Sequence, residues 1–225
     1  EMHIAAGTNA IAAVGTTGES PTVDYDEHNE LVRVAVETAA GRIPVIAGTG
    51  SNSTKEAIEL SAYAASVGAD ATLQVVPYYN KPTQEGLFQH FKAISEAVDI
   101  PIILYNVPSR TGVCFTADTL LELSKHPNIN GIKAASGNFT LLAETMAKCG
   151  GDLNVWSGND DQIVPMMALG GKGVISVLSN VAPQETHDLT QLCFENRYPE
   201  AAAMQRGVKG VDPSYSKKSQ GVFLK

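Results

Sequence analysis

The segment Asn128-Ile129-Asn130-Gly131-Ile132-Lys133-Ala134-Ala135-Ser136-Gly137 reads as one short buried strand set between turns. Its apolar residues fall on both faces, and Ile132 and Ala134 flank a single lysine. An ammonium in such surroundings is costly unless it is paired or loses its proton. A neutral amine attacks carbonyls and forms Schiff bases. A lysine at a strand end whose head reaches solvent or a carboxylate fits the same pattern, so the segment alone leaves both readings open.

The pattern recurs on either side. Apolar runs at 9–14, 43–48, 71–76 and 100–104 precede this strand, and runs at 153–156 and 173–177 follow it. Helical periodicity fills the intervals: 25–40, with Leu31, Val32, Ala35 and Val36 on one face, then 55–67, 84–98, 117–125, 139–148 and a short piece through 166–169. Ser53 or Thr54 caps the second of these. Residues 1–7 read as a helix end closed by Gly7, and 183–195 and 199–205 as two further helices.

Strands that are apolar throughout and alternate with helices imply a parallel sheet covered on both faces. An open doubly wound sheet and a closed barrel both meet that description. The lack of a nucleotide-binding loop after the first strand and the regular spacing of the units favour an α/β fold of the (β/α)8 TIM barrel type. Such a barrel needs eight strands and the pattern supplies seven, so the expectation is a barrel lacking its first βα unit. Residues 1–182 are then an N-terminally incomplete barrel. Residues 183–225 are the start of a truncated C-terminal helical part with a tail, from 207, that has no clear apolar period.

Composition narrows the partners. With 44% hydrophobic and 18% charged residues, the chain can build one large core. A net charge of −8, with no basic run beyond Lys217-Lys218, argues against nucleic acid. No apolar run approaches the ~18 residues that span a bilayer, so no membrane partner is expected. Cys114, Cys149 and Cys193 are scattered and odd in number, which predicts reduced cytoplasmic thiols without a disulfide framework. HExxH, Walker and GxGxxG patterns are absent, and no cofactor or metal is expected.

In α/β barrels the active site lies at the C-terminal ends of the strands. Those ends carry Thr16, Thr17, Tyr78, Tyr79, Tyr105, Lys133 and Gly158-Asn159-Asp160, with Arg110 just beyond. Singly, each has a plain explanation: turn hydroxyls for the threonines, a core tyrosine, a solvated loop arginine. Asp160 and Asp161 read as charges at a helix start. Converging on one mouth, the set would capture a ketone on the lysine, relay protons through hydroxyls and clamp a carboxylate in the arginine fork.

Four motifs, in order, resemble the dihydrodipicolinate synthase family: Gly15-Thr16-Thr17-Gly18-Glu19-Ser20, Pro77-Tyr78-Tyr79-Asn80-Lys81-Pro82, Tyr105-Asn106-Val107-Pro108-Ser109-Arg110-Thr111-Gly112 and Gly131-Ile132-Lys133. The resemblance runs over about residues 3–204. It implies a (β/α)8 barrel with a C-terminal helical part, assembled as a homodimer or homotetramer, that condenses pyruvate with L-aspartate 4-semialdehyde in lysine biosynthesis. It also implies roles: Lys133 as the Schiff-base lysine, Tyr105 as proton relay, Thr16 linking it to Tyr79, and Tyr79 entering the neighbouring subunit's site. Arg110 would hold the semialdehyde carboxylate, Thr17 the pyruvate carboxylate, and Gly158 and Ile175 would line the pyruvate pocket. The positions matching a lysine-inhibition site are Ser20, His28, Asn52, Glu56 and Tyr78.

The chain departs from the family where Ala134-Ala135 follows the lysine, since a Glu-Ala pair is common there. Sister pyruvate aldolases, such as N-acetylneuraminate lyase and the 2-keto-3-deoxy sugar acid aldolases, share the lysine and tyrosine. Arg110 in its Pro-Ser-Arg-Thr-Gly setting and the second threonine of Gly-Thr-Thr-Gly-Glu favour the synthase. An inactive, ligand-binding relative is the non-enzymatic alternative.

Overall fold

Side-chain oxygens decide where the helices behind the strands begin. Asp24 and Glu27 form a reciprocal capping box, and Ser53, Thr83, Thr116 and Asn138 each accept a backbone N–H from the first turn of the helix they precede. The computed structural model describes residues 1–208. Its elements run α1 (Met2–Ala5), β1 (Ile11–Ala13), α2 (Tyr25–Ala39), β2 (Val45–Gly48), α3 (Thr54–Ser66), β3 (Ala71–Val75), α4 (Gln84–Ala97) and β4 (Ile102–Asn106). They continue through α5 (Pro108–Thr111), α6 (Ala117–Leu123), β5 (Ile129–Ala134), α7 (Phe139–Cys149), β6 (Asn154–Ser157), α8 (Ile163–Ala168), α9 (Pro183–Phe194) and α10 (Tyr198–Val208). Gly207 and Val208 thus belong to α10, and the rest of the tail expected from 207 lies outside the described residues.

All six strands are parallel, and their order in the sheet is their order in the chain. A doubly wound sheet reverses its strand order at a switch point. None occurs here, so the winding is that of a barrel.

The segment 173–177 is not the full strand its apolar run predicts. It makes one bridge, Ser157 to Val174, with Ser157 N–H donating to Gly173 O at 2.9 Å and Ile175 N–H to Ser157 O at 2.8 Å. The chain then turns off at Ser176, where a carboxylate captures it.

Side chains alternate across the sheet with the period of two that strands impose. Leu73, Ile103 and Tyr105 point into the interior with Val75, Trp156 and Ile175. Ile102, Leu104, Ile132 and Val155 point outward against Leu87, Phe91 and Ile94 of α4, Leu120 and Leu123 of α6, and Leu142 of α7. Two outward residues of β3, Thr72 and Gln74, are polar and buried. Gln74 is fully buried and donates to Thr49 Oγ1 and Ser61 Oγ, both at 2.7 Å, joining β3 to α3. Helix α10 lies against α8 and α9 through Ile163, Met167, Leu189, Cys193 and Ala201. No helix of the described residues is long and apolar enough to cross a membrane.

Candidate functional site

Register places the lysine. Tyr105 pairs with Lys133 across β4 and β5, and Lys133 pairs with Trp156 across β5 and β6, so the three share the interior face near the C-terminal strand ends. Lys133 is 9% exposed, and its Nζ stands 4.5 Å from the centre of the Tyr105 ring.

Burial pushes the Lys133 amine down from 10.5 to about 8, with Asp160 pulling it back up and Arg110 adding to the fall. At neutral pH about one such amine in ten is unprotonated, against about one in three thousand for an ordinary lysine. Burial also raises the Tyr105 phenol, while the Thr16 hydroxyl and the Arg110 charge draw it down. The structure therefore brings Lys133, Tyr105, Thr16 and Arg110 into mutual influence.

Gly158 completes that neighbourhood. A Cβ there would stand 2.7 Å from Ala135 Cβ and 3.1 Å from both Cγ and Cε of Lys133. The lysine stem therefore runs over a position only glycine leaves open. Ile175 joins the interior cluster containing Tyr105 and Trp156. Thr17 is half-buried in the turn that follows β1.

Tyr79 stands apart, 90% exposed at φ 73°. Val14, Glu19 and Lys81 are also left-handed, at φ 52°, 58° and 45°. These four residues lie in the loops after β1 and β3, each at a cost of about 1–3 kcal/mol, and Val14, being β-branched, is the most unusual. Backbone strain thus gathers at the mouth where Thr16, Thr17 and Tyr79 are presented.

The five positions matched to a lysine-inhibition site are partly joined. Asn52 Nδ2 donates to Tyr78 O at 3.1 Å. Glu56, in the first turn of α3, accepts from Ser51 Oγ at 2.7 Å. His28 is buried and its Nε2 donates to Gly48 O at 2.7 Å, leaving Nδ1 without a partner. Ser20 opens a short 3-10 turn after the Gly15–Glu19 loop.

Three residues of the neighbourhood escaped the sequence reading. Asp160 is not merely a charge at a helix start: it accepts from Ser176 Oγ, Val177 N–H and Leu178 N–H. Gly131 makes room for Trp156, since a Cβ there would meet the indole Cζ3 at 2.4 Å. Only its place just after a strand end was a signal for Asp160. Nothing local marks Gly131 or Trp156.

One cavity among the described residues does not touch Lys133. It is a cleft of about 460 Å3 between β1 and residues 172–176, with Ile46, Ile103 and Trp156 at its base and His3, Lys172 and His187 among its walls. It opens the barrel interior sideways along the edge of β1 that pairs with no other strand in the described sheet.

A TIM-barrel-like parallel sheet that holds a desolvated lysine amine beneath a tyrosine ring places the protein among α/β enzymes equipped to bind a carbonyl compound as an imine. The dihydrodipicolinate synthetase family model matches residues 1–224, and the chain belongs to that family. It is 54% identical to the 4-hydroxy-tetrahydrodipicolinate synthase of Nitrosospira multiformis over 92% of its own length and 69% of the relative's. To that of Ralstonia nicotianae it is 57% identical over 84% of its own length and 64% of the relative's. The chain thus spans about two thirds of the length of these relatives. Among solved structures, dihydrodipicolinate synthase from Acinetobacter baumannii complexed with pyruvate superposes with a TM-score of 0.88 at 48% identity, covering 91% of this chain and 70% of the other. The synthase from Cyanidioschyzon merolae with lysine bound gives 0.87 at 43% identity, covering 90% and 70%.

Proposed function

We propose that this protein is a lyase of lysine and diaminopimelate biosynthesis that condenses pyruvate with L-aspartate 4-semialdehyde to 4-hydroxy-tetrahydrodipicolinate. The observation that carries the reading is the buried Lys133 amine against the Tyr105 ring. Neutral Nζ attacks the ketone carbon of pyruvate, and water leaves to give the imine. Loss of a methyl proton turns the imine into an enamine, whose carbon attacks the aldehyde of the second substrate; the amino group of that substrate then attacks the imine carbon, closing the ring and expelling Lys133 Nζ as the free amine. Tyr105, tuned by Thr16, carries protons to and from the imine. Thr17 holds the pyruvate carboxylate, Arg110 the semialdehyde carboxylate, and Gly158 and Ile175 shape the pocket. The relative complexed with pyruvate supports the first substrate.

The finer architecture follows the same reading. Residues 1–182 form the barrel part, and residues 183–208 begin the C-terminal helical part. The cleft along β1 is the space an eighth strand would fill, which supports this division. The functional unit is a homodimer or homotetramer working in the cytoplasm. The exposure of Tyr79 suits a side chain that completes a partner subunit's site. L-Lysine is an inhibitor acting through Ser20, His28, Asn52, Glu56 and Tyr78, a reading supported by the lysine-bound relative. Undiminished turnover of an intact dimer in millimolar L-lysine would remove that site.

Treatment with pyruvate and borohydride, followed by mass spectrometry, should place one reduced adduct on Lys133. Addition of the semialdehyde should then give the cyclic product. An adduct on another lysine defeats the site assignment. An adduct on Lys133 without that product defeats the synthase reading in favour of a sister aldolase.

A further inference from the structure

Arg110 is exposed on α5, a single helical turn. Its guanidinium makes no hydrogen bond among the described residues, so the backbone of that turn sets where the fork points. The turn is closed on itself. Arg110 N–H donates to Val107 O and Gly112 N–H to Pro108 O, both at 2.9 Å, and the buried Thr111 donates from Oγ1 to Val113 O at 2.9 Å. One turn has little stability of its own, so its placement depends on what holds the limb that follows it, residues 113–116. Phe115 plugs that limb into the core, but apolar burial is non-directional. Asn106 reaches the limb only at 3.4 Å, at Cys114 Sγ and Phe115 N–H. Gln84 makes three shorter bonds. Its Nε2 donates to Cys114 O at 2.9 Å, and its Oε1 accepts from Thr116 N–H at 3.0 Å and Thr119 Oγ1 at 2.7 Å.

Gln84 opens α4, directly after the loop that presents Tyr78 and Tyr79. That loop also backs α5 itself. A Cβ on Gly112 would stand 3.2 Å from Lys81 Cε, and Lys81 is left-handed at φ 45°, a conformation that persists where the surroundings over-determine it. We propose that Gln84 is a positioning residue for the second substrate: it fixes the limb behind α5, so that the Arg110 fork is preset for the semialdehyde carboxylate. Pyruvate capture on Lys133 does not pass through it. The inference rests on the role proposed above for Arg110.

Steady-state kinetics and hydrogen exchange on the full chain test this together. Gln84→Met keeps the length of the side chain and loses all three bonds. It should raise the KM for the semialdehyde about 10-fold, leave kcat and the rate of borohydride-trapped pyruvate adduct near wild type, and speed exchange at the Arg110, Gly112 and Thr116 amides. Added to Arg110→Ala, it should raise that KM no further, because Gln84 acts through Arg110. If Gln84→Met does not fold, Gln84→Glu carries the same tests: it keeps the two accepted bonds, suits the first turn of α4 and sets a carboxylate against Cys114 O. An unchanged KM, a full additional rise on the Arg110→Ala background, or an equal loss in pyruvate trapping overturns the proposal. A wild type that makes no cyclic product defeats the synthase reading instead. Exchange at the three amides needs no substrate and then decides alone: unchanged exchange overturns the positioning role.

Discussion

Replacing Gly158 by alanine tests the lysine environment with a single methyl group. The backbone there is not left-handed, so the change adds no conformational strain and acts by volume alone. The new Cβ would stand 2.7 Å from Ala135 Cβ, closer than such atoms approach, and 3.1 Å from two carbons of the Lys133 stem. Neither backbone is free to retreat, because Gly158 N–H donates to Ala134 O at 2.8 Å and Ala135 N–H to Asn106 O at 2.9 Å. Overpacking of this kind costs about 1–3 kcal/mol. Relief by swinging the stem displaces the amine, and a displacement of about 1 Å can lower a rate about 100-fold. We expect Gly158→Ala to lower the rate of borohydride-trapped pyruvate adduct by about 10- to 100-fold, with a fall in Tm. Adding Ala135→Gly removes the closest contact and should restore part of the rate. Trapping at the wild-type rate in Gly158→Ala, with the fold intact, would refute the packing argument.

Tyr105→Phe should lower kcat by about 10²–10⁴-fold while leaving pyruvate capture largely intact, since a proton relay acts mainly in the transition state. Arg110→Ala should mainly raise the KM for the semialdehyde; equal effects of both variants on both substrates would count against separate roles. His90 is buried between α3 and α4 with Nδ1 2.8 Å from Thr54 Oγ1, and burial pushes it from 6.5 down to about 4. The unfolded chain therefore takes its proton first as pH falls, and stability present above 6.5 is lost toward 4, by about 3 kcal/mol. Denaturant titrations should show His90→Gln losing correspondingly less stability than wild type over that window; identical losses would contradict it.

The features legible in the sequence were those with local causes. Helix starts follow from Asp24, Ser53, Thr83, Thr116 and Asn138, whose caps bond within three residues. Lys133 was legible as a lone cation in an apolar strand. What escaped depends on partners far along the chain. Asp160 gains its role from a turn 16 to 18 residues later, and Gly131 from an indole on the next strand. The run at 173–177 has the composition of a strand, but the anchoring of Ser176 bends it away after one bridge. Gln74 breaks the apolar pattern of β3 because Thr49 and Ser61 receive it, a pairing no period reveals.

Trp156 is the only tryptophan in the chain. It sits level with Lys133 in the sheet, its ring packed over Gly131. Its intrinsic emission is therefore a built-in optical probe of the barrel interior. Ligand entry should change its intensity in an unmodified protein, giving stopped-flow access to the binding step before any bond forms. Because Gly131 lets the indole close down on β5, the same signal should also time the moment during refolding when β5 and β6 come together.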